Sequence, residues 1–326
     1  MYARLGPNAI VTRVWHELLR PEHKVGAPRQ FWIGIPTCYH FGRGDGDLSE
    51  PTNVEYPGGD QAGAEFWEDW WKRTRLPLPP ALDPQRPGLK NYEVRRFHQA
   101  FEQLFKGYDT SSMELVEVGC AQSVYLPYFA KNYGFKVAGI DRSETGCGRA
   151  RKILEREGIK GEIYCADFFA IPPELVGRFD VVISFGVIEH FKRTAEALRA
   201  MAKLLKPGGR MFDDIPNFTG VLGRYQKLLD RHMYEAHVPL SREKLAAAHR
   251  EAGLEIEVSD YFMPVCLEVI NVERWPRNLL YWLTIRSHTA ISRAVWFVDD
   301  HFVRLPQNRW TSPFIYCVSR KPLHQA

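Results

Sequence analysis

No CxxC pair occurs in this 326-residue chain, although it carries six cysteines. Cys38, Cys120, Cys147, Cys165, Cys266 and Cys317 are scattered, which excludes the ligand spacing of a zinc knuckle or ribbon. Several lie in apolar, strand-like runs, where cysteine acts as a small hydrophobe, so a reducing, cytoplasmic setting is expected. The chain lacks an uncharged apolar run of roughly 18 residues, the length that would span a bilayer. Its first residues, "MYARLGPNAIVTRVWHELLR", have no uninterrupted apolar core, so a signal peptide is not expected. There is no long Lys/Arg block, and the net charge is only +4, which argues against nucleic acid as a partner. "GRGDGD" (42–47) has acidic residues near metal-loop spacing but lacks the remaining ligands, so no metal is expected. An internal repeat is absent, and so is the glycine-rich GxGxxG of a dinucleotide site.

What the chain does have is an ordinary globular composition, 45% hydrophobic and 25% charged, with nine tryptophans. From about residue 113, strand-like runs alternate with helical ones. Strands read at 113–118, 136–140, 161–165, 179–184 and 209–215, with late strands at 254–262 and 314–320. Helices fit at 123–133, 143–157, 192–205 and 241–252. This order predicts an α/β fold, a doubly wound, mostly parallel seven-stranded sheet. Before it, 41–63 reads as a long loop rich in Gly, Pro and Asp, and "AEFWEDWWKR" (64–73) as a short helix. "RLPLPPALDPQRPG" (75–88) is a breaker-rich link, and 91–108 an amphipathic helix with Val94, Phe97, Phe101 and Phe105 on one face. The expected organisation is an N-terminal extension (1–90) and one domain (91–326) with insertions at 217–238 and 268–310. Both insertions fall at the carboxyl edge of the sheet, where open α/β sheets bind ligands.

The loop after the first strand reads "VEVGCAQS", 116–123. Gly119 permits a tight turn, while Ala121 and Ser123 stand where a dinucleotide loop has glycine. A pyrophosphate would not be cradled here, which disfavours a nicotinamide-dependent oxidoreductase. A cofactor without phosphate needs fewer glycines. Asp141 ends the second strand roughly 20 residues beyond Gly119, where an acidic side chain accepts from ribose hydroxyls. The third strand runs into "CADFF", the fourth into "SFGVIEHF", and "LLKPGGR" precedes the fifth.

Taken in order, "EVGCA", "GIDRS", "CADFF", "SFGVIEHF" and "LLKPGGR" resemble the class I S-adenosylmethionine-dependent methyltransferases over roughly residues 90–265. Within that family the chain looks most like small-molecule methyltransferases of bacterial polysaccharide or lipid pathways. The resemblance implies S-adenosylmethionine as cofactor, held by Glu117, Gly119, Cys120, Ala121, Asp141, Arg142, Ala166, Asp167, Phe168, Phe185 and Gly186. Glu117 and Gly119 would border its methionine part, Asp141 the ribose, Asp167 and Phe168 the adenine, and Phe185 and Gly186 the sulfonium. It further implies methyl transfer to a small-molecule or lipid-linked sugar acceptor, at oxygen rather than nitrogen. A non-catalytic member binding a partner through its terminal additions is the alternative that the altered loop motivates.

Transfer to a hydroxyl benefits from a general base. His190 is the first candidate, with Glu189 beside it and Asp214 at the end of the fifth strand. Each has a plainer reading: a helix-start histidine, a structural glutamate, an aspartate paired with an arginine. Asp213 and Asp214 face opposite sides of the sheet by alternation, so they do not form a metal pair. His237 reads as a surface-loop histidine more readily than as a residue over the pocket. Trp67, Trp70 and Trp71 suit packing of a helix better than a lid, and Tyr92, Arg95 and Arg96 suit either the surface or a cofactor carboxylate. Residues 275–305 interleave apolar and basic side chains, a pattern that fits core cover or peripheral membrane contact. Oligomeric state leaves no mark in the sequence.

Overall fold

The computed structural model describes residues 57–61, 63–73, 77–272 and 274–323. The loop reading of "GRGDGD" and the placing of Cys38 lie outside these. Seven strands form a single sheet: β1 (Glu114–Val118), β2 (Lys136–Asp141), β3 (Gly161–Cys165), β4 (Phe179–Phe185), β5 (Leu205–Pro216), β6 (Glu255–Phe262) and β7 (Phe314–Arg320). Their order is β3-β2-β1-β4-β5-β7-β6, with β7 antiparallel to both neighbours and the remaining pairs parallel. The expected fold class holds. The fifth strand departs from expectation by starting at Leu205, because the helix before it stops at Ala202 and "LKPGG" already pairs.

The helices are α1 (Gly63–Arg73), α2 (Tyr92–Leu104), α3 (Tyr125–Tyr133), α4 (Glu144–Arg156), α5 (Thr194–Ala202), α6 (Val221–Leu229), α7 (Arg231–Glu235), α8 (Arg242–Glu251) and α9 (Leu279–His301). Their ends follow local chemistry. Ser143, Ser241 and Asn278 cap α4, α8 and α9 by accepting from backbone N–H groups one turn in. Gly134 closes α3 in the left-handed conformation, φ 76°. The α2 segment ends at Leu104, short of the expected Tyr108.

Both faces of the sheet are buried, as strands with continuous apolar runs require. Successive residues divide between them. Leu115 and Phe212 join Phe97, Phe101 and Phe129 on one side, while Val116 and Met211 join Leu198, Met201 and Leu245 on the other. Each such side chain contributes about 1.5–3 kcal/mol by leaving water. β1 pairs with β2 on one edge and β4 on the other, so the strand order reverses there. The loops that leave β1 and β4 diverge and open a crevice at their carboxyl ends.

This packing decides three readings that the sequence leaves open. Tyr92 does not reach a cofactor: its hydroxyl donates to Asp299 at 2.7 Å, and Arg96 and Arg95 pair with Asp299 and Asp300 of α9. Asp213 is paired, but not with arginine. Ser184 donates to one of its oxygens, and His249 Nε2 stands 3.4 Å from the other. Burial pushes Asp213 up to about 7 and His249 down to about 3, so between those values the two meet as neutral groups. Asp214 lies on the opposite face, fully buried, with no hydrogen-bond partner for either oxygen.

Candidate active site

The β1 loop turns sharply because Gly119 takes φ 79°, and its N–H donates to the Ile140 carbonyl at 2.8 Å. A side chain there would also strike Val187: an added Cβ would sit 2.5 Å from Val187 Cγ2. Gly119 is therefore required twice, by backbone conformation and by close approach of the β4 loop. Gly186 opens that second loop, also at positive φ, 64°.

These two loops form the floor of a pocket. Gly119, Ala121, Asp141 and Arg142 line one side of it. Ala166, Asp167 and Phe168 line another, and Gly186, Val187, His190 and Phe191 a third. Asp141 is held in place: its Oδ2 accepts from Ala121 N at 3.0 Å and its Oδ1 from Ser143 N at 2.8 Å. Burial raises its pKa to about 6, against the lowering effect of those two bonds. Asp167 accepts from Phe169 N at 2.9 Å, which fixes the turn that presents Phe168.

Three residues that the resemblance places at the cofactor do not line this pocket. Cys120 is fully buried, with its sulfur packed toward Gly139. Phe185 stacks on Tyr125, ring centroids 4.0 Å apart, and belongs to the core. Glu117 lies beneath the loop, where it accepts from Ser123 Oγ, and burial pushes its carboxyl up to about 8.

The remaining wall comes from the N-terminal extension. Trp67 and Trp71 of α1 line the pocket, so the tryptophans both pack and cover, where the sequence favours packing alone. Glu68 docks this helix on the N-terminus of α4. It accepts from Ser143 Oγ at 2.7 Å and from Thr145 Oγ1 at 2.6 Å, and from Thr145 N at 3.2 Å. Burial alone would raise its pKa, but these bonds outweigh it and bring it to about 2. Ahead of the helix, residues 58–61 run antiparallel to 190–193, and Asp60 pairs with Arg142.

Beside the pocket sits a cluster that spacing in the chain conceals. Donor atoms of Glu189, His190 and His237 lie within 4.8 Å of one another. The His190 and His237 rings are 4.6 Å apart at their centroids, and Trp67 meets His190 edge-on at 5.2 Å. His237 is thus half-buried at the site rather than on a surface loop. Burial pushes Glu189 up to about 8, and it lowers His190 to about 4 and His237 to about 3. The cluster as a whole prefers to be uncharged.

A family profile described as "Methyltransferase domain" matches residues 90–258. The chain belongs to this methyltransferase family. Among curated proteins, the methyltransferase is similar to the "Ubiquinone biosynthesis O-methyltransferase" of Thiobacillus denitrificans. The two are 31% identical over 182 residues, which is 51% of this chain and 77% of that protein. A protein of the same name from Pseudomonas aeruginosa is 28% identical over 152 residues, 44% of this chain and 65% of its own. Among solved structures, a proposed sarcosine dimethylglycine methyltransferase from Galdieria sulphuraria superposes with TM-score 0.51 at 14% identity. It covers 80% of this chain and 98% of that one, a likeness of fold.

The methyltransferase is thus a class I enzyme that uses S-adenosylmethionine, and the pocket fits that cofactor. The Gly119 turn leaves no room for a side chain, Asp141 offers a carboxylate beside it, and Phe168 offers a ring face. None of the pocket groups makes a phosphate cradle. Among the described residues no helix is long and apolar enough to cross a membrane.

Proposed function

We propose that this methyltransferase methylates a hydroxyl oxygen of a small-molecule acceptor seated against Trp67 and His190. The observation that carries the reading is the position of His190, which belongs both to the pocket wall and to the Glu189–His190–His237 cluster. A proton-accepting group therefore stands where cofactor and acceptor meet. The names of the similar ubiquinone-biosynthesis proteins point to oxygen as well.

When bound, S-adenosylmethionine supplies a methyl group on a sulfonium, whose sulfur keeps the bonding electron pair as the methyl passes to the acceptor oxygen. Asp141 would accept from the ribose hydroxyls, Asp167 from the adenine amino group, and Phe168 would cover the base. Trp67 and Trp71 exclude water and hold the reactants in line, an effect able to supply about 7–11 kcal/mol. The hydroxyl proton passes to Glu189 Oε2. A carboxyl raised to about 8 is mostly protonated near neutral pH and takes a proton only in its ionised fraction, which grows as pH rises, whereas a histidine lowered to about 4 is deprotonated but a weaker base. Of the base candidates that the sequence offers, Glu189 then takes the proton in its ionised form, and His190 orients the acceptor. Asp214 stands behind them, and burial beside Glu189 and Asp213 raises its pKa and favours its neutral form.

We further propose that the acceptor has an apolar tail, as a lipid-linked sugar does. Support comes from α9, which buries Tyr281, Trp296 and Phe297 yet leaves Leu279, Leu280 and Leu283 exposed near Arg274 and Arg286. A basic, apolar surface of this kind suits a membrane interface. The test is transfer of a radiolabelled methyl group to hydroxyl and amine acceptors, with and without lipid tails. Labelled ether products, reduced about 100-fold or more in Glu189→Gln, support the reading. Labelling of amines alone ends it.

A further inference from the structure

Glu189, His190 and His237 are the one group of metal-ligating side chains that the fold gathers in this way among the described residues. The two imidazoles are prepared alike. His190 Nδ1 donates to the Ala236 carbonyl at 3.1 Å, and His237 Nδ1 donates to the Met233 carbonyl at 2.7 Å. A carbonyl only accepts, so each ring carries its proton on Nδ1 and presents the lone pair of Nε2. Histidines that bind metals are oriented in this manner, by a hydrogen bond from the nitrogen that is not the ligand.

The third donor is matched. Glu189 is 2% exposed and His190 5%, yet Glu189 Oε2 and His190 Nε2 have no hydrogen-bond partner in the protein. Buried polar atoms are nearly always paired, and two orphans aimed at one point imply something between them. The backbone holds the group together, since Val238 N donates to the Glu189 carbonyl at 2.7 Å. Two further buried carboxyls, Asp213 and Asp214, lie close enough to interact with Glu189 and can ionise if a cation enters, and the guanidinium of Arg142, which acts on His190, is already paired with Asp60.

We propose that Glu189, His190 and His237 bind one divalent cation of the zinc class beside the cofactor pocket, leaving a coordination position open to the acceptor oxygen. Two neutral imidazoles and one carboxylate form a three-ligand set that suits zinc and keeps the fourth position for a substrate. Small side-chain adjustments bring the three donors to the roughly 2.0–2.2 Å that such a cation requires. The placing of the acceptor rests on the reading above; the cation site itself does not. Glu189 serves as the base described above only in the cation-free protein. With the cation bound it is a ligand, and an acceptor hydroxyl on the open position would lose its proton to solvent, before the site closes, and its oxygen would then take the methyl group.

The test is titration of the chelator-treated, full-length protein with Co²⁺, read by visible d–d absorption, followed by displacement with Zn²⁺. S-adenosylhomocysteine titrations on the same samples report that the fold and cofactor site are intact. One cobalt per chain is expected, with an imidazole- and carboxylate-type spectrum, displaced by zinc. Glu189→Gln and His237→Ala should each weaken binding about 100-fold or more while S-adenosylhomocysteine still binds. An absence of cobalt binding by a protein that binds S-adenosylhomocysteine overturns the proposal and leaves methyl transfer standing. Equal binding in wild type and both variants, or a thiolate charge-transfer band from one of the cysteines, overturns it too.

Discussion

Replacing Gly119 by alanine tests the central claim about the pocket, that two loops meet where only hydrogen fits. The substitution acts through two separable terms. The residue must keep φ 79°, which costs an L-residue about 1–2 kcal/mol. Its Cβ would also lie 2.5 Å from Val187 Cγ2, and Val187 is β-branched, so it cannot swing aside cheaply. Forcing one extra carbon into such a contact costs about 1–3 kcal/mol. The sum, about 2–5 kcal/mol, should lower the melting temperature by roughly 3–7 °C. It should also weaken S-adenosylhomocysteine binding, because relief of the contact moves the β4 loop off the pocket floor. Thermal denaturation and calorimetric titration measure the two effects. The double variant Gly119→Ala/Val187→Ala removes the clash and leaves the backbone term. A double-mutant cycle should therefore show about 1–3 kcal/mol of favourable coupling. Wild-type melting and wild-type affinity in Gly119→Ala, or additive behaviour in the cycle, would refute the reasoning.

Asp141→Ala should weaken S-adenosylhomocysteine binding about 10-fold or more by calorimetry. In the wild type, affinity should fall about tenfold per pH unit below about 6, because ribose hydroxyls donate to the ionised carboxylate. The same raised value has an opposite sign for folding. The stability from this group is full below its ordinary 3.8 and is lost as pH rises through about 6. Glu68→Ala should undock α1 at a cost of about 1–2 kcal/mol after allowance for solvent screening, seen as a change in tryptophan fluorescence and weaker cofactor binding. Glu68 is depressed, so its contribution is present above pH 4.5 and disappears as pH falls through about 2. Leu280→Glu with Leu283→Glu should abolish co-sedimentation with anionic vesicles and leave the melting temperature within about 1 °C, since both side chains are exposed.

The sheet was legible in the chain because its strands are short apolar runs at regular intervals, a local signal. The same holds for Gly119, Asp141, Asp167 and Gly186, each placed by its distance from the end of a strand. Local signals also misled where a side chain's direction mattered. Phe185 follows the right strand for a cofactor contact, yet strand alternation turns it inward onto Tyr125. Glu117 likewise points beneath the loop to Ser123.

What the sequence by itself determined is the fold class, the cofactor edge and the small residues that edge needs, since all three depend on neighbours a few positions away. What only the tertiary structure decided is which distant groups share a space. Glu68 reaches α4, Trp67 meets His190, and His237 joins Glu189 through a strap after β5. Those contacts arise when apolar faces on both sides of the sheet are buried together. Burial then sets the charge states of the groups trapped between them, and no pattern along the chain records that.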